Sequence, residues 1–459
     1  MQLDVLKETA KTEPGSYFVA NYPPFSAWKP EHVPAALAAL EGRQGIAASA
    51  GIAASAGVAD SAAGGPAPLG LYLHVPFCRK RCKFCYFRVY TDKNSSDVDV
   101  YMDALAREIA LYKRCAALDG REFEFVYFGG GTPSFLSNDQ LQRLVERINE
   151  HWRWDAAREV TFECEPGTLK LSKLQTIRRI GVTRLSLGIE HWDDDVLEQN
   201  GRAHRSAEIG AVYGWAREVG FAQINVDLIA GMVGDDEAKW KLAVERTLAL
   251  APDSLTIYQM ELPYNTEFTR EQRQGGAVAV ADWATKRCWV DYAFGQFEAA
   301  GYSVSSAYTL AKAATTAAQR FVYRDSLWHG ADMIGTGVAS FSHLAGVHYQ
   351  NLDQWEGYID ACGAGELPLA RALPISQHQR LIRELVLQLK LGRADANYFR
   401  RKFGVDIRER FAEAWRSLEQ EGYATAEDGG HRLTRAGLLR VDALLPRFFE
   451  PQFRDVRYT

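Results

Sequence analysis

The chain has 459 residues, 47% of them hydrophobic, and its 53 Lys and Arg residues against 58 Asp and Glu residues give a formal charge of −5. This length allows a large buried core and predicts one large domain with smaller appendages. The slight negative charge gives no general attraction to nucleic acid or to anionic membranes. No stretch approaches the ~20 apolar residues of a membrane span, and no signal-like segment starts the chain. We therefore expect a cytoplasmic enzyme with a small-molecule substrate, no nucleic-acid partner and no membrane span.

The first 44 residues are predicted to form an N-terminal arm. Its segment Ser16–Phe25 is rich in aromatic residues and proline, and it fits either a strap packed on the next domain or a lid over a substrate. Residues 45–62 then repeat a Gly-Ile-Ala-Ala-Ser-Ala hexad nearly three times. Because small side chains bury little surface, residues 45–68 are predicted to be a flexible, poorly ordered linker.

Strand-like and helix-like patterns alternate from residue 69 to about residue 305. The strand candidates are 69–75, 122–128, 158–164, 183–189, 222–229 and 252–259. The helix candidates between them are 97–117, 138–151, 171–180, 206–219 and 236–250. This alternation predicts an α/β fold with parallel strands, right-handed crossovers and functional groups at the carboxyl ends of the strands.

The domain boundaries follow from composition. Residues 69–374 are assigned to the α/β domain and a segment that closes it, and residues 375–459 become charged and helix-rich. The latter are predicted to form a small α-rich C-terminal domain, for which winged-helix-like packing would be suitable. Without a basic surface excess, a DNA-binding role has no support.

Three cysteines in a short loop carry the most specific signal in the sequence. Cys78, Cys82 and Cys85 form a C-x3-C-x2-C array. Three thiolates this close can ligate three irons of a [4Fe-4S] cube and leave the fourth iron open to a small molecule. Zinc is a weaker alternative because no second C-x2-C pair follows. Disulfides are weaker still, because the seven cysteines are odd in number and no secretory segment precedes them.

The cysteine motif, with an aromatic residue before its last cysteine, resembles the signature of radical S-adenosylmethionine (SAM) enzymes. The approach Leu71–Phe77 resembles the branch that holds oxygen-independent coproporphyrinogen III dehydrogenase, haem chaperones, haem-degrading enzymes and two-SAM methyltransferases. The resemblance implies a partial (β/α)6 barrel, a [4Fe-4S] cluster and SAM chelated by the open iron. An electron from a donor such as flavodoxin or ferredoxin would cleave SAM to a 5′-deoxyadenosyl radical, which abstracts a substrate hydrogen.

The resemblance also assigns residues to one SAM molecule or to two. The positions that hold the first SAM are Tyr72, Gly130, Glu163 and Phe341. The positions that hold a second are Phe84, Gly131, Thr132, Arg202 and Asp227, with Glu190 where the family has a glutamine. Tyr72 and the three cysteines are the predicted catalytic residues.

The chemistry of these residue types agrees with that assignment. The glycines of Gly129–Gly131 let the backbone approach a ligand closely. Glu163 ends a strand candidate, where a carboxylate can accept charge-assisted hydrogen bonds from an ammonium group or ribose hydroxyls. Asp227 lies between apolar strand residues, where an acid is costly unless it is paired or binds something.

The chain also departs from the coproporphyrinogen enzyme. Tyr86 and Phe87 follow Cys85 where that enzyme has Gly-Cys, and Met260 replaces an alanine. Its arm has an arginine before the first tyrosine, where this arm has Ser16. Because arginine pairs bidentately with a propionate, the change bears on the substrate. The leading prediction is a coproporphyrinogen III oxidase-like hydrogen abstraction in porphyrin biosynthesis. A two-SAM C-methyltransferase or cyclopropanase acting on another substrate, and a haem chaperone, are the alternatives.

Overall fold

The computed structural model describes residues 18–43, 67–312, 321–454 and 456. Most of the predicted linker and the first 17 residues of the arm lie outside this described part. In the arm, helix α1 (Val33–Leu40) packs against the edge of the main sheet. None of the described helices is long and apolar enough to cross a membrane.

Six parallel strands form the centre of a twelve-stranded sheet and lie side by side in chain order. They are β1 (Leu69–Val75), β2 (Phe123–Gly130), β3 (Glu159–Cys164), β4 (Arg184–Glu190), β5 (Gln223–Ala230) and β6 (Ser254–Gln259). Each begins and ends within two residues of its predicted bounds. These strands are almost fully buried, which explains their near-continuous apolar sequences. The predicted α/β fold with six parallel strands is confirmed.

Helices connect the successive parallel strands of this sheet. They are α2 (Ser95–Tyr112), α3 (Asn138–Asn149), α4 (Leu171–Arg179), α5 (Asp194–Gln199), α6 (Ser206–Val219) and α7 (Glu237–Leu250). Capping boxes start α2 at Asn94 and α3 at Ser137. The first predicted helix, 97–117, was placed too far along the chain. Ala116–Leu118 form a separate 3-10 turn, in which Leu118 is fully buried. The apolar residues of this turn continue the helical sequence pattern, so the sequence predicted a helix that extends too far.

Short strands extend the sheet on both sides, and the sequence patterns did not predict them. After α8 (Glu267–Arg273) and α9 (Trp283–Ala299), β7 (Tyr302–Val304) and β8 (Thr309–Lys312) continue the sheet beyond β6. After α10 (Val322–Trp328), β9 (Asp332–Thr336) pairs with β1 in parallel. The sheet then continues antiparallel through β10 (Phe341–Leu344), β11 (Val347–Asn351) and, after α11 (Trp355–Ala364), β12 (Leu369–Pro374). Strands this short give almost no periodic signal.

The C-terminal region has its own hydrophobic core, which also includes Val19 and Tyr22 of the arm. Its helices are α12 (Gln377–Leu389), α13 (Ala396–Phe403), α14 (Ile407–Arg410), α15 (Ala412–Gln420), α16 (Arg435–Leu438) and α17 (Val441–Leu444). A three-stranded antiparallel sheet joins them, formed by β13 (Arg393–Asp395), β14 (Ala424–Glu427) and β15 (Gly430–Leu433). The helix-rich character was predicted and this small sheet was not. The shared core ties the arm to the C-terminal region.

Candidate active site

One cavity of about 1500 Å³ contains the predicted site. It extends from the carboxyl ends of the parallel strands down to Arg184, at the start of β4. All thirteen predicted site residues line it: Tyr72, Cys78, Cys82, Phe84, Cys85, Gly130, Gly131, Thr132, Glu163, Glu190, Arg202, Asp227 and Phe341. The residues predicted from the sequence therefore lie together around one cavity.

The cysteine loop follows β1 and is fixed by backbone hydrogen bonds. Cys78 N donates to Tyr90 O at 3.0 Å, and Cys85 N donates to Cys82 O at 3.0 Å. The glycine-rich end of β2 packs directly on this loop. A Cβ atom at Gly131 would lie 3.0 Å from Cys78 Sγ and 2.9 Å from the Phe77 carbonyl, so only glycine fits there. The triple glycine is thus part of the cysteine pocket.

The surroundings of the cysteines fit thiolate ligands of a cluster. Thr132 Oγ1 lies 3.4 Å from Cys78 Sγ, and Arg202 Nη1 donates to Cys82 Sγ at 3.2 Å. Burial raises the pKa of the Cys78 thiol to about 12 and that of Cys85 to about 11. Such thiols lose their protons when they bind a metal, and donors placed at the sulfurs stabilise the thiolates.

In the described part of the chain, no group of three His, Cys, Asp or Glu side chains is arranged to hold a single metal ion. A [4Fe-4S] cube binds each of its cysteines to a different iron, so a cluster does not require three sulfurs that converge on one point.

Glu163 is held at the end of β3 by two donors from β2. Tyr127 Oη donates to Oε1 at 2.6 Å, and Gly130 N approaches Oε2 at 3.3 Å. Burial raises the pKa of Glu163 to about 7, with nearby Asp227 adding to the rise. Tyr72 stacks on Tyr127 with ring centroids 5.8 Å apart. A carboxylate in this position is available to a cationic or hydroxyl-bearing ligand.

Asp227 is paired within the sheet. Ser186 Oγ donates to its Oδ2 at 2.9 Å, and Asn225 Nδ2 donates to its Oδ1 at 2.9 Å. Burial raises the pKa of Asp227 above its ordinary value. Both partners are strand residues, so Asp227 is an oriented carboxylate in the cavity wall.

Arg202 and Glu190 meet at the bulged end of β4. Glu190 has a φ of 60°, and the pairing register shifts between Gly188 and Glu190. Arg202 donates from Nη2 to Gly188 O at 2.7 Å and lies 3.6 Å from Glu190 Oε1. Arg202 is therefore a buried link between the cysteine loop and β4.

Phe84 and Phe341 lie on different apolar surfaces. Phe84 packs against a small cluster that includes Met260, the residue that replaces the family's alanine. Phe341 contacts the arm, with ring centroids 4.2 Å from Phe25 and 5.5 Å from Trp28. The structure therefore places the arm against the segment that carries Phe341.

Sequence reasoning missed several polar residues of the cavity. Arg184 is 2% exposed and stacks on Phe321 at 3.9 Å, and its Nε and Nη1 have no hydrogen-bond partner among the described residues. A charged residue within an apolar strand was the available signal. Tyr127 gave no such signal, because inward-facing tyrosines are common in strands.

The start of the described arm is fixed by acids of the cavity wall. Phe18 N donates to Glu261 Oε1 at 2.9 Å, and Val19 N donates to Asp442 Oδ1 at 2.9 Å. Lys390 donates to Val19 O and pairs with Asp442, at 2.8 Å in each case. These contacts favour the description of the arm as a strap that also forms part of the cavity wall.

The pKa of Glu261 predicts how stability changes with pH. Burial, and then nearby Asp442, raise it from 4.5 to about 8. The folded protein therefore keeps a proton that the unfolded chain loses above pH ~4.5, so this carboxyl favours folding at low pH and the contribution is lost as pH rises towards 8. In Glu261→Gln the amide oxygen still accepts from Phe18. We measure the free energy of unfolding with urea as a function of pH. As the pH rises, we expect this free energy to increase in the variant relative to the wild type by up to about 1.4 kcal/mol per pH unit. A constant difference from about pH 5 to about pH 8 would contradict this assignment.

Comparisons with known proteins agree with this geometry. Residues 72–246 match the radical SAM superfamily, and residues 375–440 match the HemN C-terminal domain. The chain therefore contains a radical SAM domain and a HemN C-terminal domain. The radical SAM superfamily binds a [4Fe-4S] cluster and SAM, which are the cofactors of this chain.

Among the relatives of this chain are proteins named for two different functions. The chain is 28% identical to the oxygen-independent coproporphyrinogen III oxidase of Pseudomonas aeruginosa over 399 residues, covering 83% of this chain and 85% of the relative. It is 26% identical to the heme chaperone HemW of Bacillus subtilis over 370 residues, covering 80% of this chain and 96% of the relative. The structure of coproporphyrinogen III oxidase (HemN) from Escherichia coli shares the fold, with a TM-score of 0.77 at 22% identity and coverage of 97% and 98%.

Proposed function

We propose that the protein is a radical SAM enzyme that abstracts hydrogen from an anionic tetrapyrrole, in a coproporphyrinogen III oxidase-like reaction. The observation that carries the proposal is the set of residues that line the 1500 Å³ cavity. It combines the cysteine loop with Glu163, Asp227 and a surplus of arginines and lysines over acids, although the whole chain has 53 basic and 58 acidic residues. Such a lining is complementary to a large substrate with several carboxylates.

In this proposal Cys78, Cys82 and Cys85 hold the cluster. When bound, the cluster would supply one electron for the reductive cleavage of SAM into methionine and a 5′-deoxyadenosyl radical. Glu163, oriented by Tyr127, accepts hydrogen bonds from the ammonium or ribose hydroxyls of SAM.

The arm side of the cavity supports an anionic substrate. Arg371 lines the cavity, donates to Phe25 O at 2.9 Å and donates to Gln350 Oε1 at 2.6 Å. The arm lacks the family's arginine, but guanidinium groups from elsewhere in the chain lie beside it. A propionate partner is therefore available from residues that the arm motif does not contain.

The proposal is tested by anaerobic incubation of cluster-loaded protein with SAM, dithionite, coproporphyrinogen III and a one-electron acceptor. The acceptor is needed because the 5′-deoxyadenosyl radical removes one hydrogen atom of each propionate and the second leaves as a proton and an electron. We expect the tetrapyrrole to lose one carbon dioxide and two hydrogens per converted propionate, as measured by mass spectrometry. Radical formation from SAM without any change in the tetrapyrrole would refute the proposal that coproporphyrinogen III is the substrate. Omitting dithionite is the control.

A two-SAM methyltransferase or cyclopropanase is the second candidate. It is favoured by one observation, that Phe84, Thr132, Arg202 and Asp227 all line the cavity in addition to the residues assigned to the first SAM. S-adenosylhomocysteine among the nucleoside products would support it. Haem titration of the cluster-loaded protein tests the haem chaperone alternative, since tight haem binding without turnover would indicate a carrier.

A further inference from the structure

Two buried polar groups line the cavity beside the arm. His343 lies in β10 and Arg383 in α12, and they are only 5% and 6% exposed. In the described part of the chain, His343 Nε2 and the two terminal nitrogens of Arg383 have no hydrogen-bond partner. Because both side chains line the cavity, these nitrogens are available to a group bound there.

The neighbours of His348 fix the position of its proton. Arg383 Nε donates to Asn21 Oδ1 at 2.7 Å, and since a guanidinium only donates, the amide nitrogen of Asn21 must face His348 Nδ1, at 3.5 Å. On the other side of the ring, His348 Nε2 lies 3.1 Å from the Tyr22 carbonyl, which only accepts. Both neighbours place the proton on Nε2 and a lone pair on Nδ1.

This assignment determines the tautomer of His343. His343 Nδ1 lies 3.0 Å from His348 Nδ1. Because His348 Nδ1 has a lone pair and no hydrogen, His343 Nδ1 must carry the hydrogen and donate it. Burial, and then the charge of Arg383, hold the pKa of His343 well below its ordinary value, so the ring is neutral. A neutral ring protonated on Nδ1 has a lone pair on Nε2. Nε2 is therefore a hydrogen-bond acceptor that has no donor among the described residues.

We propose that His343 and Arg383 form a substrate subsite for a carboxylate that lies near an N–H or O–H donor. The terminal nitrogens of Arg383 bind the carboxylate, and His343 Nε2 accepts from the neighbouring donor. The proposal rests on the proposed function and gives its anionic substrate a specific place. A pyrrole bearing a propionate has both groups. Asn21 and His348 orient the two residues and do not touch the substrate.

Two substitutions of His343 separate this role from a structural one. Asparagine places its amide near the former Nδ1 and can still bond His348, but it leaves nothing at Nε2. Glutamine places its amide near the former Nε2 and loses the bond to His348. We expect H343N to raise the KM for coproporphyrinogen III by roughly tenfold or more and H343Q to remain within roughly threefold of the wild type.

The rate of 5′-deoxyadenosine formation without coproporphyrinogen is measured for each variant as a control for losses in radical chemistry. The opposite ranking, with the larger rise in KM in H343Q, would overturn the subsite. Arg383→Lys keeps the charge but loses the planar pair of donors, and we expect it to raise KM as well.

A second measurement does not depend on the substrate. Diethyl pyrocarbonate modifies imidazole nitrogens that have a free lone pair, and mass spectrometry locates the modified residues. In cluster-loaded wild-type protein we expect His343 to react and His348 to resist. If the protein forms 5′-deoxyadenosine but leaves coproporphyrinogen III unchanged, the proposed substrate fails. In that case a reactive His343 retains the subsite for another carboxylate, and an unreactive His343 overturns it.

Discussion

Replacing Cys78, Cys82 and Cys85 together by alanine is expected to abolish iron binding. Anaerobically purified wild-type protein should be brown and contain about four iron and four sulfide per chain. The triple variant should be colourless, because the donors at Thr132 and Arg202 stabilise thiolates and cannot replace them as ligands. Iron and sulfide analysis, together with the visible absorption spectrum, measures the effect.

The remaining cysteines provide matched controls for this result. A triple alanine variant at Cys115, Cys288 and Cys362 removes three thiols outside the cysteine loop and should retain the cluster. Cys164→Ala is a sharper control, since this buried thiol lines the same cavity. Full iron content in the loop variant, or stoichiometric zinc in the wild type, would be incompatible with the cluster assignment.

Glu163→Gln and Asp227→Asn are expected to fail at different steps. Glu163→Gln removes a charged acceptor from the cluster-bound SAM, and a charge-assisted hydrogen bond of about 1.5–3 kcal/mol corresponds to a roughly 10- to 100-fold loss in SAM cleavage. Asp227→Asn should leave cleavage near the wild-type rate but abolish conversion of the substrate. The assay measures 5′-deoxyadenosine and substrate product in the same reaction.

Equilibrium dialysis with labelled SAM decides whether Asp227 serves a second SAM. We expect two molecules per wild-type chain and one in Asp227→Asn. Ser186 and Asn225 both donate to this carboxylate, so a structural role would instead lower the urea unfolding midpoint. An unchanged midpoint is therefore part of the expected result. One molecule in both proteins would exclude the two-SAM arrangement.

The parallel strands were predictable because their apolar runs are long and are separated by helical periods. The site residues were predictable for a different reason. Cys78 follows the end of β1 and Glu163 lies in the last two residues of β3, and parallel strands bring their carboxyl ends to one edge. The flanking strands β9 to β12 were not predictable, because each is at most six residues long and is stabilised by pairing with distant segments.

The orientation of polar groups could not be read from the sequence. The φ of 60° at Glu190 arises at a bulge, and nothing in the local sequence indicates where a bulge falls. The contact of Asn21 with His348 and Arg383 joins the arm to a strand and to a helix that are more than 300 residues further along the chain. Long-range contacts of this kind decide a tautomer, and only the folded structure supplies them.

The formation of 5′-deoxyadenosine by cluster-loaded protein tests the central claim most directly. The protein is incubated anaerobically with SAM and dithionite, and the nucleoside products are identified by liquid chromatography and mass spectrometry. We predict that 5′-deoxyadenosine accumulates in the wild type, that it requires dithionite and that it is absent from the Cys78, Cys82 and Cys85 variant. A wild-type protein that carries its full cluster but forms no 5′-deoxyadenosine would contradict the account.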